Sequence, residues 1–493
     1  MSAFTFKEAT VTSFHEALRN KTVTGSQLAE FYLDRIEAYN NQGPRIQAIV
    51  TVNPRALEEA RELDAYFNET GELKGPLHGV PVLVKDQAET AGIVTTFGSK
   101  AFEAYVPEQD ATIIKQLREA GAVILAKTSM CDFAAGWFSF SSVTDHTKNP
   151  YDLDRESGGS SAGTSAGIAA NFGLIGVGED TGGSIRLPSS FNNLFGLRPT
   201  TGLISRNGFS PLVHFQDTPG PITRSVNDAA KLMDVLVGFD KNDAFTSATS
   251  YTSDAGSYEA SLEGAAMQQY RIGVLSDAFG PDTDPDCAPV NEQVRAAVEW
   301  LKASGVEVVE GLSIPDMAQW TEDTSLYITQ SKNDINRFLS KRPNAPVKSF
   351  KEIYEGQLFH PMNDLFHDIN GGPEVPERDA SYYRKRVRQE EFRRTILHLM
   401  MENGVDFLIY PTVRVLPPTR EELYAQKWTC LTFPTNTVIA SQSGLPSMSV
   451  PAGFAAHLPV GFELVGKPYA ESDLLRFAHA YEQQASPRRE PAL

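Results

Sequence analysis

Residues 156–200 read ESGGSSAGTSAGIAANFGLIGVGEDTGGSIRLPSSFNNLFGLRPT, and no other stretch of the chain says as much about its fold and chemistry. Two glycine and serine clusters, 158–161 and 182–184, flank a segment of small and apolar residues. Glycine permits tight turns, and serine supplies a hydroxyl that becomes a nucleophile once a base removes its proton. One such cluster is typical of a flexible linker, but the apolar segment between two of them indicates a core. We therefore expect a buried segment whose small residues let a helix pack close to a reactive site.

The composition is that of a globular protein, with 493 residues of which 41% are hydrophobic and 22% charged. A net charge of −18 disfavours nucleic acid and anionic membranes as partners. Three cysteines without a C-x-x-C pair indicate neither a disulfide framework nor a structural zinc site. The sequence shows no secretory signal and no apolar run long enough to span a membrane. We therefore expect a cytoplasmic protein that uses no metal and no cofactor.

Helical and strand-like patterns alternate along the chain. Residues 111–127 predict a helix, a stop at Gly121 and a strand at 122–126, and residues 289–309 repeat this order. Further strands are predicted at 79–86, 405–410, 445–451 and 462–466. This alternation indicates an α/β fold.

Several common catalytic motifs fail on inspection. The segment 461–467 has phosphate-loop spacing, but Pro468 stands where a hydroxyl must bind magnesium, and the segment itself is strand-like. No H-E-x-x-H or S-x-x-K motif occurs, and Ser184 lies in TGGSIR rather than in G-x-S-x-G. A triad of Ser184 with His214 and Asp217 stays open, although a histidine among apolar neighbours is more often structural.

The remaining motifs resemble those of the amidase signature family. They are Lys85 after the apolar run 82–84, the cluster GGSS at 158–161 and the sequence DTGGSIR at 180–186. Flanking family segments are matched by GVP at 79–81, AKT at 126–128, GLRPT at 196–200, GPITR at 220–224 and PVG at 459–461. The resemblance implies one large amidase domain over 1–493, with a mixed central β-sheet covered by helices. Its core would be about 13–240 and 400–482, with a more variable insertion region at 241–400.

Carried over by position, the family mechanism makes Ser184 the nucleophile, Lys85 the general base and Ser160 the hydroxyl that bridges them. The resemblance implies Ser160 rather than Ser161 as the bridge, because its interval to Ser184 is the one usual in the family. The resemblance also implies a cis peptide bond between Gly159 and Ser160. The expected reaction is hydrolysis of a carboxamide, anilide or carbamate C–N bond through an acyl-enzyme on Ser184.

Elementary chemistry explains these residue types. Lysine is a base only when neutral, which requires burial that lowers its pKa, and the apolar run before Lys85 makes burial plausible. Alternation along a strand would turn Asp86 to the other face. The backbone N–H groups of Thr181, Gly182, Gly183 and Ser184 are expected to form an oxyanion hole. Asp180 and Arg186 are expected to be structural partners that hold this turn.

The substrate pocket is predicted less sharply. By resemblance, Ala134, Gly136, Trp137 and Ser160 are candidate substrate contacts, and an apolar pocket without basic residues suits a neutral small-molecule amide or carbamate. Glu156 and Glu179 depart from the family pattern. We expect them to reshape the mouth of the pocket without touching Lys85, Ser160 or Ser184.

Two alternatives stay open. One is the glutaminase subunit of a tRNA-dependent amidotransferase, which works with partner proteins. The segment 325–333 lacks the acidic and Ala/Ser-rich pattern of that subset, so a free-standing amidase is favoured. The other alternative, a catalytically inactive scaffold, is disfavoured by the intact Lys85, Ser160 and Ser184. Assembly as a homodimer is also left open.

Overall fold

A mixed β-sheet of eleven strands crosses residues 4–493, the part of the chain that this computed structural model describes. The strands of the structure are β1 (Ile49–Val52), β2 (Pro81–Lys85), β3 (Val123–Thr128), β4 (Lys148–Asn149), β5 (Asp152–Glu156), β6 (Ile175–Asp180), β7 (Phe195–Arg198), β8 (Thr218–Thr223), β9 (Arg271–Leu275), β10 (Glu307–Leu312), β11 (Phe407–Pro411), β12 (Ser447–Ala455) and β13 (Leu458–Val465). The large sheet has the order β1-β3-β2-β6-β8-β7-β12-β13-β11-β9-β10, and β4 pairs separately with β5.

Helices cover this sheet. They are α1 (Val11–Arg19), α2 (Gly25–Arg35), α3 (Ala56–Thr70), α4 (Thr112–Glu119), α5 (Ala162–Ala169), α6 (Arg186–Phe191), α7 (Val226–Leu236), α8 (Tyr258–Ser261), α9 (Ala288–Ala303), α10 (Met317–Asp323), α11 (Tyr327–Ser340), α12 (Phe350–Glu355), α13 (Leu365–Gly371), α14 (Tyr382–Glu402), α15 (Arg420–Tyr424), α16 (Val438–Ser443) and α17 (Glu471–Ala485). Within residues 4–493, none of these helices combines the length and apolar character needed to cross a membrane.

The α/β fold and its mixed sheet are therefore confirmed. Helix α4 is followed by β3, and α9 is followed by β10, as the patterns at 111–127 and 289–309 predict. Gly461 lies inside β13, paired with Pro451 of β12, so the segment with phosphate-loop spacing is a strand. Strands β9 and β10 come from the predicted insertion region and join the same large sheet. The proposed division into core and insertion remains a prediction.

Three parallel strands at one end of the sheet prepare the site. β2 pairs with β3 on one side and with β6 on the other, all in the same direction. Every residue of these strands is buried, which explains their apolar sequences. Because carboxyl ends of parallel strands meet at one edge, Lys85 at the end of β2 lies beside Glu179 and Asp180 at the end of β6.

Small residues let helix α5 pack directly under this edge, as the opening stretch predicts. A Cβ atom built on Gly163 would lie 2.1 Å from the carbonyl oxygen of Ala48. A Cβ atom on Gly167 would lie 2.8 Å from Leu83 Cδ1 of β2. Neither position has room for a side chain, so the two glycines set how close the helix comes to the sheet.

Candidate active site

Lys85 and Ser160 meet in the protein interior. Lys85 Nζ lies 2.8 Å from Ser160 Oγ, and both side chains are fully buried. The peptide bond between Gly159 and Ser160 is cis, as the resemblance implied. Burial lowers the pKa of Lys85 while Glu179 and Cys131 oppose this shift, so the lysine is closer to its neutral, basic form than a solvated one.

Glu179 also touches Lys85, so the expectation that this departure avoids the catalytic set is wrong. Its Oε2 atom lies 3.3 Å from Lys85 Nζ, and its backbone oxygen lies 3.0 Å from the same nitrogen. Both side chains are only 1% exposed. Burial raises the pKa of Glu179 to about 7, against the lowering effect of Lys85. The sequence showed two carboxylates at the end of an otherwise apolar strand, which is a signal that each of them has a partner.

Glu156, the other departure, has a structural contact. Its Oε1 atom accepts hydrogen bonds from the backbone N–H groups of Ser139 (2.8 Å) and Gly158 (3.1 Å). The carboxyl group therefore ties the turn before Ser160 to the segment after Trp137. It does not contact Lys85, Ser160 or Ser184.

Ser184 lies on the turn between β6 and α6 and is 3% exposed. Its backbone oxygen accepts a hydrogen bond from the N–H of Ser161 at 3.2 Å, which joins the two glycine and serine clusters. Within residues 4–493, no hydrogen bond links the hydroxyls of Ser160 and Ser184. Catalytic hydrogen bonds are often long before substrate binds, so the arrangement is consistent with a relay that tightens on binding.

The turn before Ser184 has its carbonyl groups bound and some of its N–H groups free. Gln216 Nε2 donates to the Thr181 oxygen at 3.0 Å, and both Trp137 Nε1 and Thr437 Oγ1 donate to the Gly182 oxygen. Because a trans peptide points its N–H away from its C=O, the bound Thr181 carbonyl turns the Gly182 N–H to the opposite side.

Gly183 departs from the predicted oxyanion hole. Its N–H donates to Asp180 Oδ1 at 2.8 Å and is therefore engaged in this structure. In the described part of the chain, the N–H groups of Thr181, Gly182 and Ser184 have no acceptor within hydrogen-bonding distance. These three donors are the ones left for a developing negative charge.

Asp180 and Arg186 hold the turn, as predicted. Arg186 binds both carboxylate oxygens of Asp180 at 3.1 Å, and Arg198 Nη1 lies 3.0 Å from Asp180 Oδ1. All three side chains are fully buried. Burial alone would raise the pKa of Asp180, but Arg186 and Arg198 hold it well below its usual range. Glu463 of β13 is a second buried carboxylate on Arg186.

A small cavity of about 10 Å³, room for about one water molecule, lies against Ser184. Ala134, Gly136 and Trp137 line it, so the structure brings three of the four candidate substrate contacts to Ser184. The rest of its wall consists of Thr181, Gly182, Leu212, Tyr327, Leu365 and Cys430. Sequence reasoning missed Leu212, Tyr327 and Leu365, which come from distant segments that only the fold brings here. The wall carries no lysine, arginine or carboxylate.

His214 has structural surroundings. Its backbone N–H donates to Asp334 Oδ2 at 2.8 Å, and its ring lies 5.0 Å from the ring of Phe245. Asp217 instead accepts hydrogen bonds from Thr181 Oγ1 (2.6 Å) and from backbone N–H groups. No hydrogen bond within residues 4–493 connects the His214 ring to Ser184. The arrangement therefore gives the open Ser184, His214 and Asp217 triad no support.

In this α/β fold, a buried lysine contacts a serine beside a second serine on a glycine-rich turn. The family model described as Amidase matches residues 27–475. A glutamyl-tRNA(Gln) amidotransferase subunit of Carboxydothermus hydrogenoformans is 34% identical over 95% of both chains. The corresponding protein of Moorella thermoacetica is 34% identical over 97% of both chains.

Solved structures agree with this result. The peptide amidase of Stenotrophomonas maltophilia superimposes with a TM-score of 0.87 at 30% identity, covering 99% of both chains. The corresponding glutamyl-tRNA(Gln) amidotransferase subunit of Thermotoga maritima gives a TM-score of 0.75 at 27% identity, covering 100% of this chain and 99% of that one. The chain belongs to the amidase family, as its motifs predicted, and is an enzyme of that family.

Proposed function

We propose that this protein hydrolyses an amide C–N bond through an acyl-enzyme on Ser184. The observation that carries the proposal is the 2.8 Å contact between Lys85 Nζ and Ser160 Oγ, buried beside a serine on a glycine-rich turn. Membership of the amidase family supports it.

The steps follow from the positions of these groups. Neutral Lys85 takes the proton of Ser160 as Ser160 takes that of Ser184, whose oxygen attacks the carbonyl carbon. The N–H groups of Thr181, Gly182 and Ser184 are placed to stabilise the oxyanion, with each donor worth about 2.7–4 kcal/mol of barrier. The proton then passes through Ser160 to the leaving nitrogen as the C–N bond breaks. Water, activated by the same relay, hydrolyses the ester.

Two classes of amide substrate fit this chemistry, glutamine and neutral amides. The relatives named above belong to amidotransferases, and this supports a glutaminase that works with partner proteins better than the free-standing amidase favoured by segment 325–333. The uncharged wall beside Ser184 favours a neutral amide instead, because the charged ends of glutamine need polar partners. The similarity to the peptide amidase also supports a neutral amide as the substrate.

The purified chain tests the proposal with peptide amides, anilides, carbamates and glutamine. Ser184→Ala should lower turnover at least about 10³-fold, because it removes the hydroxyl that forms the acyl-enzyme in this mechanism. Ser160→Ala should lower it roughly 10²–10⁴-fold, the size of a lost proton-transfer step. Ser161→Ala is the matched control, since the Ser161 hydroxyl forms hydrogen bonds only with backbone atoms of Glu179, and the variant should keep turnover within about tenfold.

The outcomes separate the candidates. Activity of the lone chain on neutral amides supports a free-standing enzyme. Ammonia release from glutamine only when the other proteins of an amidotransferase are added supports the glutaminase. Wild-type turnover in the Ser184→Ala variant would refute the mechanism for both.

A further inference from the structure

Glu179 is the feature that the catalytic chemistry above leaves unexplained. A relay of lysine and two serines needs no carboxylate, yet one is buried 3.3 Å from the nitrogen that must act as the base. A carboxylate there favours the ammonium form of lysine, which is the inactive form. Burying two ionisable groups is also expensive unless they share a proton or a charge.

The surroundings of the pair contain few other charges. Lys85 faces Glu179 and Asp180 from β6 and Cys131 from the segment after β3. Glu179 faces Lys85, Asp217 and Asp180, with Arg198 of β7 nearby. Asp180 is already neutralised by Arg186 and Arg198, and Asp217 is held by Thr181 and backbone N–H groups. Glu179 is therefore the only carboxylate within hydrogen-bonding distance of Lys85 Nζ in the described residues.

A second cavity has Glu179 in its wall. Its volume is about 330 Å³, and it is separate from the small cavity at Ser184. Arg206, His214 and Asp334 form part of its wall, and the exposed Arg337 and Lys341 connect it with the surface. Two buried polar atoms on this cavity, Gln87 Oε1 and Ser210 Oγ, have no protein partner. A polar cavity of this size admits water, so Glu179 has a path to solvent protons.

Building on the function proposed above, we propose that Glu179 is a positioning residue that sets the protonation state of Lys85. In the resting pair, ionised Glu179 holds Lys85 as the ammonium, and Lys85 becomes a base when its proton passes to the Glu179 carboxylate and on to water in the cavity. The Lys85 N–H bond breaks as an O–H bond forms on Glu179, and that O–H bond breaks as water takes the proton. Lys85 is then an amine ready to accept the proton of Ser160, and Glu179 is again a carboxylate.

The direction of the effect follows from the charges. Ionised Glu179 stabilises the Lys85 ammonium, so it reduces the fraction of neutral lysine at every pH below the pKa of that lysine. Glu179→Gln keeps the size of the side chain and removes this charge. The pH at which activity is lost on the acid side, the acid limb of the pH profile, should therefore fall by roughly 1–3 units. This is the usual effect of one nearby opposite charge.

The midpoint of the acid limb can be measured without knowledge of the substrate, from the pH dependence of the rate at which an alkyl fluorophosphonate labels Ser184. In Glu179→Gln and Glu179→Thr, the midpoint of the acid limb should lie at lower pH than in the wild type. Glu179→Asp keeps the negative charge, so its midpoint should lie closer to that of the wild type. Asp334→Asn is the matched control, because Asp334 lines the same cavity but does not touch Lys85, and its limb should not move. Far-ultraviolet circular dichroism confirms that each variant is folded.

The possible failures are distinguishable. If Glu179→Gln and Glu179→Thr are labelled more slowly at every pH with an unmoved midpoint, the role of Glu179 is structural and the inference is wrong. If the wild type is not labelled at Ser184, or Lys85→Met is labelled as fast as the wild type, the proposed function fails instead.

Discussion

At the scale of single residues, the site contains candidate catalytic residues and structural residues, and Glu156 is a structural one. It is one of the two departures from the family pattern, and its carboxyl group accepts hydrogen bonds from two backbone N–H groups, those of Ser139 and Gly158. Its other oxygen, Oε2, is buried without a partner. Burial consequently raises the pKa of Glu156 to about 7. Glu156 is thus a fixed hydrogen-bond acceptor that resists ionisation.

Glu156→Gln should change how stability depends on pH. Between about pH 4.5 and 7, native Glu156 keeps its proton while the unfolded chain loses it, so the wild-type free energy of unfolding falls as pH rises. The slope is at most about 1.4 kcal/mol per pH unit. Glutamine cannot ionise, so the variant should lose this part of the slope and be relatively more stable at pH 7.5.

Urea unfolding at pH 5 and pH 7.5 measures the difference. The exposed Glu58→Gln is the control and should keep the wild-type slope. An unchanged slope in Glu156→Gln would mean that Glu156 ionises freely in the native protein.

At the scale of elements, a buried ionic network joins the turn that carries Ser184 to the rest of the sheet. Arg186 of α6 contacts Asp180 of β6, Glu463 of β13 and Ser441 of α16. These elements are far apart in sequence, but their side chains converge directly behind Ser184. The network orients the turn because each of its charges is held by an opposite charge or by a hydroxyl.

Arg186→Met should destabilise the protein strongly. It leaves Glu463 buried without its cation and removes one of the two arginines that bind Asp180. Removing one partner of a buried ion pair typically costs about 3–5 kcal/mol of unfolding free energy. Chemical denaturation measures the loss, and the surface variant Arg55→Met, which breaks only exposed pairs, should leave the unfolding free energy unchanged. Near-wild-type stability of Arg186→Met would show that the network does not hold the turn.

At the scale of the whole molecule, the cavity at Ser184 is closed by parts that lie far apart along the chain. Trp137 precedes the first glycine and serine cluster, whereas Tyr327 of α11 and Leu365 of α13 come from the region predicted to be variable. The rings of Trp137 and Tyr327 meet edge to face at 5.7 Å. The region 241–400 thus forms part of the wall of this cavity.

Tyr327→Ala should favour larger substrates. Removing the ring opens space above Gly182, so kcat/KM for a bulky neutral amide should rise about tenfold relative to a small one. Initial rates on a series of amides of increasing size test this, after circular dichroism shows that the variant is folded. Tyr383→Ala, which changes an exposed tyrosine of α14, should leave the ratio unchanged. If the ratio of kcat/KM for the bulky amide to that for the small one is the same in Tyr327→Ala as in the wild type, Tyr327 does not limit the size of the pocket.

Much of this architecture could be predicted from local patterns. The alternation of helix and strand holds in the structure because a helix and a strand each impose their own hydrophobic period on a short segment. Ser160, Ser184 and Lys85 could be named because glycine-rich turns and an apolar strand ending in lysine are contiguous signals. The sequence itself therefore determined the fold class, the family and the three residues of the proposed relay.

Only the tertiary structure decided which side chains meet. Glu179 was expected to avoid Lys85, and Gly183 was expected to help bind the oxyanion. The pairing of β2 with β6 places the Glu179 carboxylate beside Lys85 Nζ. The Gly183 N–H donates to Asp180, so it is not free to bind an oxyanion. Tyr327 reaches Ser184 only through the packing of α11. Contacts between residues so distant in sequence depend on strand register and helix packing, which no short pattern encodes.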